Sequence, residues 1–252
     1  MNIQNLTSEE QIFIGEPADL GYCKTYPIKL KEIAKMGTKK FYECLNIFTL
    51  KTEDIKEFLI SNGIANDIGT LQFHLINANT SDSYLETLNQ AFQVFLHESN
   101  ITCTKEAIVL GDISENRIIK QEEFDDICQL VEKQTSLPSG DENEDIPPEG
   151  TKEREIWEAL HKGKQQLLKA KSVNGEGGLT FLDLVASLAA RGNGLNAINI
   201  WDMTYYAFQD QFQRMQWIDN YENTLQSLMH GADSKKVTLE NWLQPIKNKD
   251  KK

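Results

Sequence analysis

Residues 199–228, NIWDMTYYAFQDQFQRMQWIDNYENTLQSL, set large apolar side chains at Trp201, Tyr205, Phe208, Phe212, Met215, Ile218, Tyr221, Leu225 and Leu228. The steps between them are 4, 3, 4, 3, 3, 3, 4 and 3, which is the spacing of one helix face and not the alternation of a strand. Asn199, with Asp202 three residues on, reads as the cap, and Gly231 as the stop. The spacing therefore predicts a helix of about 40 Å at 1.5 Å per residue.

The residues before it read the same way. Thr180 and Asp183 form a capping-box pattern ahead of Leu182, Leu184, Val185, Leu188 and Ala189, and Arg191-Gly192-Asn193-Gly194 ends that helix. Lys152 to Lys171 carries its glutamates early and its lysines late, matching the helix dipole, over a thin stripe of Ile156, Leu160, Leu167 and Leu168. Gly175 to Gly178 reads as a turn between helices. Thr238 to Ile246 reads as a short helix held by Trp242 and Leu243, with Lys247 to Lys252 as a frayed tail.

Toward the N-terminus the composition changes. Residues 135–150 hold three of the six prolines and five acidic residues, the makeup of a solvated linker. Gln11 to Gly15 and Tyr22 to Ile28 read as a small hairpin around Glu16 to Gly21. Helices follow over Lys29–Met36 (Leu30, Ile33, Ala34), over Lys39–Leu50 (Phe41, Cys44, Leu45, Phe48), and from Thr52 with Ile55, Phe58 and Leu59 until Asn62-Gly63. Ser83 with Glu86 reads as the capping box of a helix from Tyr84 to about His97. Ala107–Leu110 and Arg117–Lys120 read as a second hairpin, and Phe124, Ile127, Cys128, Leu130 and Val131 mark the helix that reaches the linker. The fold class is mainly α: an α+β N-terminal domain with short hairpins at residues 1–134, an acidic Pro-rich linker at 135–150, and a helical C-terminal domain at 151–252.

The 252 residues include 38 acidic and 26 basic side chains, a formal net charge of −12. Residues 1–150 hold 26 acidic and 12 basic side chains, whereas residues 151–252 hold 12 and 14. An excess of this sign repels phosphate backbones and argues against nucleic-acid binding. No run approaches the roughly 18 apolar residues of a membrane span, and the polar start is unlike a signal peptide, so an intracellular protein without a membrane partner is expected.

Chemistry-bearing patterns are missing from the sequence. There is no phosphate loop, no Gly-x-Ser-x-Gly elbow and no full dinucleotide fingerprint. His74, His97, His161 and His230 are too dispersed for a zinc pair, and His97 with Glu98 reads as a surface pair. Cys23, Cys44, Cys103 and Cys128 stand too far apart for zinc or redox spacing and read as free buried thiols. Asp125 and Asp126 point about 100° apart on a helix, and Asp202, Asp210 and Asp219 lack His or Glu companions three residues away. No catalytic residue, cofactor or metal is expected. The aromatic content of residues 201–217 is the strongest local feature: it builds core, and Tyr206, Gln213, Gln216, Trp217 and Asn220, off the principal stripe, suit a partner groove.

Three stretches carry a resemblance. They are Tyr26-Pro27-Ile28-Lys29-Leu30-Lys31-Glu32-Ile33, then residues 126–134 (DICQLVEKQ), and above all residues 178–246 with LDLVASLAA at 182–190, NIWDMTYY at 199–206 and DQFQRM at 210–215. On these the sequence resembles a family from the tail assembly region of tailed bacteriophages whose members act as tail assembly chaperones. The resemblance spans both halves, leaves the linker unmatched, and departs at Ala207-Phe208-Gln209, where a more aromatic or amide-rich run is expected.

It implies binding of the phage tape measure protein in the host cytoplasm and delivery of tail-tube protein to it, with Trp201, Tyr205, Tyr206, Phe212, Gln213, Gln216 and Trp217 as the partner-binding candidates. Under this reading the Trp201–Met215 region forms a scaffold and part of a groove, and the acidic N-terminal half addresses tube subunits. A tail or connector component retained in the virion is the alternative, and homo-oligomerisation stays open.

Overall fold

The computed structural model describes residues 7–51, 55, 68–111, 117–135, 179–192, 194–231, 239 and 241–243. Among these the fold is mainly α, with small antiparallel sheets of two and three strands. The chain divides into two compact units, Met1–Leu137 with Ile198–Gln211, and Pro138–Ala197 with Phe212–Lys252.

The first unit opens with α1 (Glu9–Ile14) where a strand is expected. Its side chains suit a strand, but local caps decide: Gln11 N donates to Ser8 Oγ at 3.2 Å, Ser8 N donates to Gln11 Oε1 at 2.8 Å, and Gly15 ends the turn at φ 88°. The hairpin is present one step later, as β1 (Ala18–Asp19) paired with β2 (Lys24–Thr25). Then come α2 (Leu30–Met36) and α3 (Thr38–Thr49), close to their expected bounds, with Leu30, Ile33, Phe41, Cys44, Ile47 and Phe48 buried and Ala34 exposed.

α4 (Thr70–Thr80) is a helix that the sequence reading did not find. Its buried face, Leu71, His74, Leu75 and Ala78, has helical spacing but puts a histidine in the middle of it. α5 (Asp82–Leu96) is capped by Ser81, whose Oγ accepts from Tyr84 N at 3.3 Å, and not by Ser83. The expected second hairpin is β4 (Ile108–Leu110) with β5 (Ile118–Ile119), and β3 (Ile101–Cys103) adds a third strand to give the order β3-β4-β5. α6 (Gln121–Thr135) follows and reaches back: Gln121 Oε1 accepts from Leu71 N at 3.2 Å and its Nε2 donates to Thr70 Oγ1 at 2.9 Å, which caps α4.

Apolar packing joins these helices. α3 lies against α5 and α6, and α4 against the same two. Phe48 sits at the centre, with ring centroids 5.5 Å from Phe92, 5.6 Å from Phe95 and 6.0 Å from Phe124. Phe92, Phe95 and Phe124 are all 0% exposed. Rings at these separations add about 0.5–1.5 kcal/mol per pair beyond the area they bury.

The second unit contains α7 (Phe181–Arg191), where the Thr180–Asp183 capping box forms as expected and Val185 and Leu188 are buried. The long helix is α8 (Tyr205–Met229), closing near Gly231 at φ 95°. It starts five residues later than expected. Asn199–Asp202 is instead a 3-10 turn, and Thr204 forms an antiparallel bridge with Lys29. Met203 and Thr204 therefore pair with residues 28–30 in an extended conformation before the helix begins.

The helix expected from Thr52, apart from the buried Ile55, lies outside the described residues. So do the helix over Lys152–Lys171, the turns at 112–116 and Gly175–Gly178, the linker beyond Thr135 and the lysine tail. Leu239 and Asn241 to Leu243 are described from the expected last helix, with Trp242 37% and Leu243 69% exposed.

Candidate functional site

The candidate residues are divided between the two units. Trp201, Tyr205 and Tyr206 belong to the first, and Phe212, Gln213, Gln216 and Trp217 to the second.

In the first unit, residues 200–210 dock as a core segment. Leu30 N donates to the Met203 carbonyl at 2.9 Å and Tyr205 N to the Ile28 carbonyl at 2.8 Å, while Lys31 Nζ pairs with Asp202 at 2.8 Å. The Lys31 ammonium holds the Asp202 carboxyl below its ordinary range. Thr204 caps α8, its Oγ1 accepting from Ala207 N at 3.1 Å and donating to the Phe13 carbonyl at 3.3 Å.

Trp201 sits half-buried in the 3-10 turn, not on the helix. Tyr205 stacks edge-on against Phe41 at 5.1 Å with its hydroxyl 3.5 Å from that of Tyr42, and burial followed by this neighbour pushes its phenol up. Tyr206, expected off the apolar stripe, is only 6% exposed. The helix phase explains it: Tyr206, Ala207, Phe208 and Asp210 are all buried, so the first two turns present several sides to protein.

In the second unit no described residue of α8 beyond Phe212 is buried. Phe212, Gln213 and Trp217 are half-exposed and Gln216 is exposed. Gln213, Gln216, Asn220 and Asn223 follow at steps of 3, 4 and 3, so they form one amide ridge along the helix. Leu225 and Met229, 38% and 78% exposed, lie farther along it. Arg191 of α7 pairs with Asp219 and, at 3.0 Å, with Glu222, fixing the end of α7 against this helix.

A second site is one that the sequence reading missed. A cavity of about 500 Å³ lies among α3, α4 and α5, lined by Glu43, Asn46, Ile47, Thr49 and Leu50 from α3 and its end, by His74 from α4 and by Tyr84 and Thr87 from α5. His74 is 1% exposed, and burial lowers its pKa to about 4, against a weaker opposite effect of the Ile47 carbonyl. Its Nδ1 lies 2.6 Å from the Tyr84 hydroxyl, whose own pKa burial raises to about 12. These residues come from three helices, so no local motif marks them. The signal that was available is the helical spacing of Leu71, His74, Leu75 and Ala78.

The four thiols are free, with Cys23 and Cys44 buried and Cys103 and Cys128 half-buried. Burial raises Cys44 to about 11 and Cys23 to about 12, which leaves them unreactive at neutral pH. Among the described residues no three His, Cys, Asp or Glu gather as they would around a metal ion, and no helix is long and apolar enough to cross a membrane.

No curated protein and no solved structure matches the chain. Residues 169–247, which include α7, the 3-10 turn and α8, match the family of the YomV second domain. Over that stretch the chain is similar to a phage-associated domain family.

Proposed function

We propose that this protein is a phage tail assembly chaperone that binds the tape measure protein and assists tail-tube assembly, without a catalytic step. The observation that carries the reading is the amide ridge of α8 with Trp217 beside it, lying within the residues that match a phage-associated family. A tape measure is a long, largely helical chain whose apolar stripes are exposed until the tube encloses it, and such stripes aggregate unless covered. A half-exposed helix that offers an indole, a phenyl ring and a row of side-chain amides covers a partner helix with contact area and adaptable hydrogen bonds. The net charge of −12 keeps it off nucleic acid, and the acidic N-terminal half is assigned to tube subunits.

Co-expression with the tape measure protein, affinity capture and light scattering test this. A soluble stoichiometric complex is the expected result. A tape measure that still aggregates, with this protein found at fixed copy number in purified virions, overturns it in favour of a structural tail component. Trp217→Ala is expected to weaken capture about tenfold or more, as truncation of an aromatic anchor does, with helical content by circular dichroism unchanged. Undiminished capture would move the contact away from this face.

A further inference from the structure

The cavity among α3, α4 and α5 has no part in the proposed function, and its walls have a distinct hydrogen-bonding character. Three hydroxyls line it, and the protons of the two threonines are engaged elsewhere. Thr49 Oγ1 donates to the Leu45 carbonyl at 3.2 Å, and Thr87 Oγ1 donates to the Ser83 carbonyl at 3.0 Å. The third is Tyr84, 2.6 Å from His74 Nδ1. Whether the Tyr84 hydroxyl donates to Nδ1 or accepts from it, its oxygen keeps a lone pair for the cavity. All three oxygens are left with lone pairs.

Glu43 adds a carboxylate, Asn46 a side-chain amide whose oxygen accepts, and Ile47 and Leu50 apolar surface. The ion partner of Glu43 is Lys39, one turn earlier at 3.8 Å with its side chain 93% exposed, a contact too long and too solvated to occupy the carboxylate. The wall is thus rich in acceptors and carries a negative charge, above a short greasy floor. An ammonium has three donors and no acceptor, and its burial is tolerated only where a counter-charge and acceptors meet them.

We propose that this cavity binds the side chain of a lysine presented by a partner protein, the ammonium held by Glu43 and the hydroxyl oxygens of Tyr84, Thr49 and Thr87, the methylene stem along Ile47 and Leu50. A polypeptide source is favoured over a free diamine by what adjoins the site. A second cavity of about 340 Å³ shares Thr49 and Leu50 with the first and carries Asp125 and Glu132 against the single cation Lys51. The groove therefore continues past the lysine socket with the same sign of charge, which gives a basic segment room for its backbone and a further cationic residue.

The test is a titration of the isotope-labelled full-length protein with N-acetyl-lysine methylamide, N-acetyl-norleucine methylamide and putrescine in parallel, following the Thr49, Thr87 and Tyr84 resonances. The lysine derivative is expected to shift these signals saturably in the millimolar range while norleucine, which keeps the stem and lacks the ammonium, does not. Putrescine is expected to bind no more tightly than the lysine derivative. Glu43→Gln, at a half-exposed side chain that the fold does not need, is expected to weaken the lysine derivative about tenfold, and Thr87→Val by a smaller factor. Equal shifts with norleucine, tighter binding of putrescine, an unaffected Glu43→Gln variant, or no shift at these residues would each overturn the assignment.

Discussion

His74 shows what burial does to a single residue. It is 1% exposed, hydrogen-bonded at Nδ1 to Tyr84 and without a hydrogen bond at Nε2. The Phe124 ring stands 5.5 Å away and the Phe73 ring 5.7 Å away, so no counter-charge among these neighbours favours the imidazolium. Its folded pKa of about 4 lies below the ordinary value of 6.5. Between those values the unfolded chain binds the proton and the folded chain does not. Stability is therefore full above pH 6.5 and falls as the pH drops toward 4, by on the order of 3 kcal/mol from this one group. The unfolding free energy of the wild type minus that of His74→Gln, measured at pH 7 and pH 4, should shrink by that amount, and a difference independent of pH would show that the ring is solvated. Sequence could place His74 on a helix face but not beside Tyr84, because that contact depends on how α4 packs on α5 and not on either helix alone.

At the scale of elements, what was legible depended on whether a local signal agreed with its surroundings. α3, α6 and α7 were legible because their apolar spacing, and for α7 its Thr180–Asp183 box, point one way. α1 reads as a strand because Gln11, Ile12, Phe13 and Ile14 favour one, while the decisive signals, Ser8 with Gln11 and then Gly15, are caps flanking a very short helix. β3 was hidden because Ile101-Thr102-Cys103 holds one strongly apolar β-former where Ile108-Val109-Leu110 holds three in a row. Asn199 is a good cap by type for α8, yet Met203 and Thr204 are held extended by pairing with residues 28–30 and the helix cannot begin before Tyr205. Of the candidate face, Gln213 and Trp217 are half-exposed and Gln216 is exposed, while Tyr206 turned inward because this start segment packs as core. Thr204 is then the true cap, 3% exposed and bonded to both Ala207 N and the Phe13 carbonyl. Thr204→Ala should cost about 1–2 kcal/mol and Thr204→Ser distinctly less, since serine keeps both bonds. Equal losses in the two variants, by chemical denaturation, would assign the effect to the lost methyl packing instead.

For the whole molecule the consequence is that the first unit is not contiguous in sequence. Its reading as residues 1–134 omits Ile198–Gln211, and those residues supply it with bonds and burial that nothing nearby replaces. Ile28 is 2% and Leu30 0% exposed; without the segment the Ile28 carbonyl loses Tyr205 N and the Leu30 amide loses the Met203 carbonyl. The Thr135 carbonyl likewise loses Gln209 Nε2 at 2.7 Å. Each orphaned buried group costs about 1–3 kcal/mol. Ile200, Tyr206 and Phe208, at 0%, 6% and 4% exposure, would add about 1.5–3 kcal/mol apiece in lost burial. The total is on the order of 10 kcal/mol, as large as the net stability of a typical domain of about 5–15 kcal/mol. A chain ending at residue 137 should therefore show no cooperative thermal transition, although it contains α1 to α6 and both sheets. Rejoining residues 198–211 to it through a flexible glycine-serine linker should restore one, because the missing bonds are made by that segment alone. The comparison is read by calorimetry on the two shortened chains. A chain ending at residue 137 that melts cooperatively near the full-length temperature would mean that the segment decorates a finished core, and the partner-binding reading of Trp201 and Tyr205 would then regain a free surface.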